Sequence, residues 1–109
     1  MAYLMLDSVT SAVASQPVNV SWAENYTLHY YFTGTGTVTA LTIDFLGCID
    51  NGEHWFTVDS HTFSAGELTA KSAVVFVTYK NLKEAKVSIS TLTKTGDVYI
   101  TALLQPNKA

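Results

Sequence analysis

A chain of 109 residues, 48% apolar and only 14% charged, can build one hydrophobic core and one domain, but has little charge to spread over its surface. The net charge is −3 and all six basic residues are lysines, so the arginine fork that grips phosphate and guanine is missing; this disfavours a nucleic-acid binder and phosphoryl transfer. A single cysteine, Cys48, excludes an internal disulfide and a zinc site built on cysteines, and no apolar run approaches the roughly 20 residues of a membrane helix.

The beginning, Met1 to Leu6 followed by Ser11-Ala12-Val13-Ala14-Ser15, has a superficial likeness to a secretory leader with its cleavage site. It has no basic start, and its apolar stretch stops at Asp7, so no signal peptide is expected. In a chain kept in the cytoplasm the sequons at Asn19 and Asn25 carry no meaning. Residues 4–10 read as a first, peripheral strand, and residues 18–22 as a short one started by Pro17. Residues 27–32 alternate Leu28, Tyr30 and Phe32 against Thr27, His29 and Tyr31. In residues 37–49, Leu41, Ile43 and Phe45 share one side while Thr42 and Asp44 share the other, the period of a half-buried strand.

The turn Asp50-Asn51-Gly52 predicts a hairpin to residues 54–58, which residues 61–63 extend. Residues 68–79 contain the apolar run 73–77 and read as a central strand. Two alternating strands follow, through Ala85, Val87 and Ile89 and through Val98, Ile100, Ala102 and Leu104, with a second hairpin expected at Lys94-Thr95-Gly96-Asp97. No capped helical period is found, and the tail from Gln105 to Ala109 is expected to leave the fold. The sum is one all-β domain, an antiparallel β-sandwich of jelly-roll or immunoglobulin-like kind with about eight strands.

The densest polar cluster is Asp50-Asn51-Gly52-Glu53-His54, followed by Trp55 and then by Asp59 and His61. Asp50, Asn51 and Glu53 offer some of the oxygens of a calcium loop, without the spacing of an EF-hand. His54 and His61 lack further ligands at metal-site spacing, so no metal and no cofactor is expected. Trp55 beside Asp50, Asn51 and Glu53 has the makings of a sugar-stacking or partner-contact turn. The plainer reading is a hairpin turn whose Asp and Asn bond their own backbone while Trp55 packs on the core edge. No nucleophile elbow surrounds any serine, His29 reads as a half-exposed strand residue, and no enzyme is expected. Lys80, Lys83, Lys86 and Lys94 either meet an acidic partner or protect strand edges. The aromatics Trp22, Tyr26, Tyr30, Tyr31 and Phe32 suit an interface, and core packing suits Tyr30 and Phe32 at least as well.

Several segments together resemble a family of small β-sandwich virion proteins of tailed bacteriophages. They are Leu6-Asp7-Ser8-Val9-Thr10, residues 26–32, and Gly34-Thr35-Gly36-Thr37-Val38-Thr39. The likeness continues through Gly47-Cys48-Ile49-Asp50-Asn51-Gly52-Glu53-His54-Trp55, Val77-Thr78-Tyr79-Lys80 with Ala85-Lys86-Val87-Ser88, and Thr95-Gly96-Asp97-Val98-Tyr99-Ile100. The pattern departs at Asn51, inserted in the usual Asp-Gly, and at a lysine where arginine is frequent. The resemblance implies a protein without catalysis, sited in the virion on a capsid surface, neck or tail appendage. Its partners would be the major capsid protein or another virion protein, with self-association, for instance as trimers, and with neither nucleic acid nor membrane. The segment 1–15, with Tyr3, Leu4, Met5 and Leu6, would then be a docking arm or a peripheral strand. The turn ending in Trp55 is also similar to that of discoidin-like sugar-binding modules, which implies a carbohydrate-binding or host-adhesion alternative.

Overall fold

A computed structural model of the chain describes residues 2–108. Eight strands and one short helix follow one another as β1 (Tyr3–Val9), β2 (Val18–Asn19), β3 (Asn25–Thr33), β4 (Thr37–Cys48), β5 (Phe56–Thr62), α1 (Ala65–Ala70), β6 (Ser72–Thr78), β7 (Glu84–Thr95) and β8 (Tyr99–Asn107). They form two four-stranded antiparallel sheets, β1-β8-β3-β6 and β2-β7-β4-β5. The first strand lies beside the eighth, the second beside the seventh, the third beside the sixth and the fourth beside the fifth. This is one long hairpin rolled over itself, a jelly-roll sandwich, which settles the choice between jelly-roll and immunoglobulin-like order.

The alternation seen in the sequence places the core. Leu28 and Tyr30 of β3, Leu41, Ile43 and Phe45 of β4, Val87 of β7, and Ile100, Ala102 and Leu104 of β8 all point between the sheets and are fully buried. Tyr26 and Phe45 touch across the sandwich with ring centroids 5.1 Å apart. The hydroxyls of Tyr26 and Tyr30 have no hydrogen-bond partner among the described residues. Burial, reinforced by the nearby Asp59 and Asp44 charges, drives the Tyr30 phenol far above its usual ionisation range.

The strand β4 does pair with β5 as a hairpin, with a bulge between Phe45 and Leu46. Four other expectations need correction. The Lys94–Asp97 turn is not a hairpin: β7 and β8 lie in different sheets, and the turn carries the chain across the sandwich. The apolar run of β6 is an edge strand, paired with β3 alone. The tail does not leave at Gln105, because β8 continues to Asn107 opposite Asn25, with Pro106 buried; Ala109 lies outside the described residues. A helix is also present where none was expected.

That helix is set by its cap. Ser64 Oγ accepts from the Glu67 backbone N–H at 3.2 Å, and Glu67 Oε1 accepts in return from the Ser64 N–H at 2.9 Å. Lys71 closes it in the left-handed conformation, φ 61°. His61 Nε2 of β5 lies 3.0 Å from Glu67 Oε1. The Ser64 N–H, and after it His61, hold the Glu67 carboxyl below the usual glutamate range. A group with a depressed folded pKa stabilises above its unfolded pKa and loses that contribution as pH falls through the folded value. Glu67→Gln keeps the cap but not the charge. Its melting temperature is therefore expected to fall short of the native protein's at pH 7, and the gap to close as pH drops below about 4. Paired thermal melts across this range check it; a gap independent of pH would count against the assignment.

Candidate functional site

The two sheets differ in what they show to solvent. The strands β3, β6 and β8 contain no Asp, Glu or Lys, and β1 contains only Asp7. The charged strand residues Asp44, Asp59, Glu84, Lys86 and Lys94 all belong to the second sheet. With one set of side chains in the core, the other set forms an outer face on the first sheet. Cross-strand register puts Leu4, Leu103, His29 and Val74 in one row, and Gln105, Thr27 and Phe76 in the next. Of these, Leu4 is 55%, Val74 50% and Phe76 78% exposed. His29 Nε2 lies 2.9 Å from Ser72 Oγ, and its ring leans on Tyr31 at 5.1 Å. Tyr99 extends the face opposite Thr33. A face of apolar and aromatic groups with no net charge can be covered by a protein surface without stranding an unpaired ion.

The second sheet's outer face is polar and internally bonded. Ser60 Oγ donates to Asp44 Oδ1 at 2.6 Å, and the Thr42 and Thr62 hydroxyls lie 3.0 Å apart.

At the β4–β5 turn, Asp50, Asn51, Glu53 and Trp55 come together in one loop. Asp50 Oδ1 accepts from the backbone N–H groups of Glu53 at 3.1 Å and His54 at 3.4 Å, and its Oδ2 lies 2.7 Å from His54 Nδ1. The bond to His54, and then those backbone donors, keep the Asp50 carboxyl below the ordinary aspartate range. Asn51 Oδ1 accepts from Lys83 Nζ at 2.6 Å. Trp55 is half-buried, its indole N–H donates to Gly52 O at 3.0 Å, and Lys86 Nζ sits 4.4 Å from the centre of its ring. The Asp50 carboxyl is thus spent on the loop itself, as expected, whereas Asn51 is held by Lys83 from the β6–β7 connection and not by its own backbone, and one side of the Trp55 ring carries an ammonium group.

The other expected residues fall apart from this loop. His54 bonds Asp50 while His61 bonds Glu67, and no group of three His, Cys, Asp or Glu side chains gathers at metal-binding distance among the described residues. Cys48 is buried and free. Two open clefts are lined by Phe32, Val38, Leu68 and Lys71, and by Thr10, Ser11, Leu92 and Lys94 with neighbours, so each holds a lysine as its one ionisable side chain. Tyr3, Leu4, Met5 and Leu6 lie in β1, paired with β8; Leu6 is in the core and Leu4 on the outer face. The chain then crosses to the other sheet, where the Ser15 N–H donates to Val87 O at 2.8 Å. Within the first fifteen residues, Tyr3–Val9 is an edge strand of its own domain and residues 10–15 lead to the second sheet; Met1 is outside the described residues. Of the outer face, sequence reasoning singled out only Leu4 as a contact residue, since the face is built from four strands distant in the chain.

Fold and surface define a jelly-roll domain whose distinctive feature is a sheet face and not a pocket. No family model matches the chain, and no curated protein matches it. Among solved structures it is similar in fold to the SPBc2 prophage-derived protein YomS, at 14% identity with a TM-score of 0.58 over 95% of this chain and 90% of that one. It is likewise similar to a CBM4 structure, at 12% identity with a TM-score of 0.54 over 97% of this chain and 70% of that one. No helix among the described residues is long and apolar enough to cross a membrane.

Proposed function

We propose that the chain is a non-enzymatic structural protein of a tailed-bacteriophage particle, a capsid decoration or accessory subunit that acts through protein–protein contacts. The observation that carries this reading is the outer face of the first sheet, where Leu4, Leu103, Val74 and Phe76 are presented by strands almost free of charge. Four strands spaced about 4.8 Å apart over nine residues give an uncharged face of roughly 500 Å² in plane, in which Thr27 and Gln105 lie among the apolar groups; the largest patch on a protein is of this order and is often functional. The major capsid protein, or another protein of the particle, would cover it. The fold it shares with a prophage-derived protein agrees with this reading, and so does the resemblance of its turns to small virion proteins. Clefts with a lone lysine give catalysis no convergent set of groups to work with.

The test is co-sedimentation of the purified protein with assembled capsids from the phage source of the chain, beside the variant Leu103→Lys. Binding by the native protein, weakened at least tenfold in the variant, is the expected result. Native protein that stays in the supernatant overturns the reading, as does binding indifferent to Leu103→Lys. A carbohydrate-binding role would instead work through Trp55, and a glycan screen with Trp55→Ala as control separates the two. The half-buried ring beneath Lys86 is the observation that makes it the second choice.

A further inference from the structure

A β-sandwich has four strand edges, and each is a row of main-chain donors and acceptors that another strand can join unless something prevents it. Three edges of this domain carry such protection. β1 is bulged between Leu4 and Leu6 and again between Leu6 and Val9, and it carries Asp7 and the left-handed Ser8, φ 52°. β2 is two residues long and follows Pro17. β5 holds Asp59 and His61 and is itself bulged, with Val58 left unpaired between Asp59 and Thr57. The fourth edge, β6, has none of these devices. Its seven residues Ser-Ala-Val-Val-Phe-Val-Thr run in unbroken register with β3 from Ser72 to Thr78, without charge, proline or glycine.

The bonds at its ends fix which groups are free. The Phe32 N–H donates to Lys71 O, and the Tyr79 N–H donates to Glu24 O. Antiparallel alternation then turns the main-chain groups of Ala73, Val75 and Val77 toward β3, and those of Ser72, Val74, Phe76 and Thr78 away from the sheet. The side chains of these four residues stand on the outer face, among them Val74 and Phe76, half or more exposed.

We propose that a second copy of this chain pairs antiparallel with the free edge of β6, joining two first sheets into one of eight strands. A single register satisfies all four free residues of each copy. Val75 lies on the two-fold axis, Val74 faces Phe76 of the other copy, and Ser72 faces Thr78. Aromatic against β-branched is a favourable cross-strand pair. Lys71 comes opposite Tyr79, and Lys80, one residue further on, has Glu24 of its own copy as partner at 3.7 Å. The occupant is a second copy because this edge is complementary to itself in length, charge and side-chain pairing. An edge of seven residues is about 23 Å long. Across a domain whose shortest extent is 20 Å it covers about 450 Å² on each copy, close to the roughly 1,000 Å² total at which specific interfaces begin. An interface at this lower limit fits a reversible dimer. It deepens the particle reading by doubling the uncharged face, since both outer faces end on one side, but it stands without any particle.

The experiment is sedimentation equilibrium of the full chain from about 1 µM to 1 mM, for the native protein and for Val74→Lys with Phe76→Lys. A monomer–dimer equilibrium is expected, with the dissociation constant raised at least tenfold in the double variant, where lysines of the two copies face each other. Amide hydrogen exchange of the native protein supplies a readout that needs no variant. The Val74 and Phe76 amides should gain protection with concentration while those of Ala73 and Val75 do not change. A native protein monomeric to 1 mM overturns the proposal, and so does a trimer. Association abolished by Leu103→Lys but kept by the edge variant would overturn it too, by moving the contact to the face. A dimer that ignores capsids would leave it standing and remove the particle reading.

Discussion

Phe45→Ala is expected to destabilise the domain by about 3–5 kcal/mol, enough to consume much of the roughly 5–15 kcal/mol that keeps a domain of this size folded. Phe45 is fully buried in β4 and reaches across the sandwich to Tyr26, their ring centroids 5.1 Å apart. Alanine removes the contact between the sheets and leaves a void that two hydrogen-bonded sheets cannot close by moving together. The urea midpoint should fall steeply with an unchanged slope, and the melting temperature by something on the order of 15 °C or more. A loss below about 1 kcal/mol would mean that the ring is not held between the sheets.

The second large effect belongs to the backbone. Gly34 sits at φ 108°, a conformation open to glycine, and a Cβ built there would land on the carbonyl oxygen of Asp97 in the facing turn. Gly34→Ala therefore combines backbone strain with a collision against main chain that has no freedom to yield, a cost of about 3 kcal/mol. Gly66 in α1 is the control. Its nearest neighbour would be Ser64 Oγ at 4.0 Å, so Gly66→Ala should stabilise by roughly 0.5 kcal/mol through helix propensity and chain entropy. The same substitution with opposite signs, read from paired denaturation curves, separates steric cost from a general sensitivity to change. Equal effects at the two sites would refute the account.

How much the sequence could disclose depended on how local each determinant was. Strands β3 and β4 were legible because Leu28, Tyr30, Leu41, Ile43 and Phe45 recur with period two and go to the core. The helix was overlooked because six residues are too few for a helical period; the Ser64-x-x-Glu67 box was its only signal. The Lys94–Asp97 turn looks like a hairpin turn in any sequence, and whether it closes a hairpin or crosses between sheets is decided by partners elsewhere in the chain. An unbroken apolar run in β6 imitates a central strand; here Val74 and Phe76 face outward at an edge. In the tail, Gln105 and Asn107 suggested solvent, while the alternate residue Pro106 is buried. The polar turn at Asp50 was legible as a cluster and, for Asp50, as a self-bonded loop, because those bonds are local; the bond of Asn51 to the distant Lys83 was not. The uncharged face was not, for Leu4, Leu103, His29 and Val74 become neighbours only through strand order.

That order also sets a timetable. β8 lies inside the first sheet, between β1 and β3, yet it is made last, after both of the strands that it must join and after the five others. Tyr3 finds its place opposite Leu104, a loop closure of about a hundred residues. Chains whose contacts are this distant fold in milliseconds to seconds, not microseconds. During synthesis, then, β1 waits without a neighbour and β3 with only one, while the second sheet can already assemble around the β4–β5 hairpin. Newly made chains should pass through a half-roofed state in which the second sheet is formed and the first is open, and the arrival of a single strand closes it.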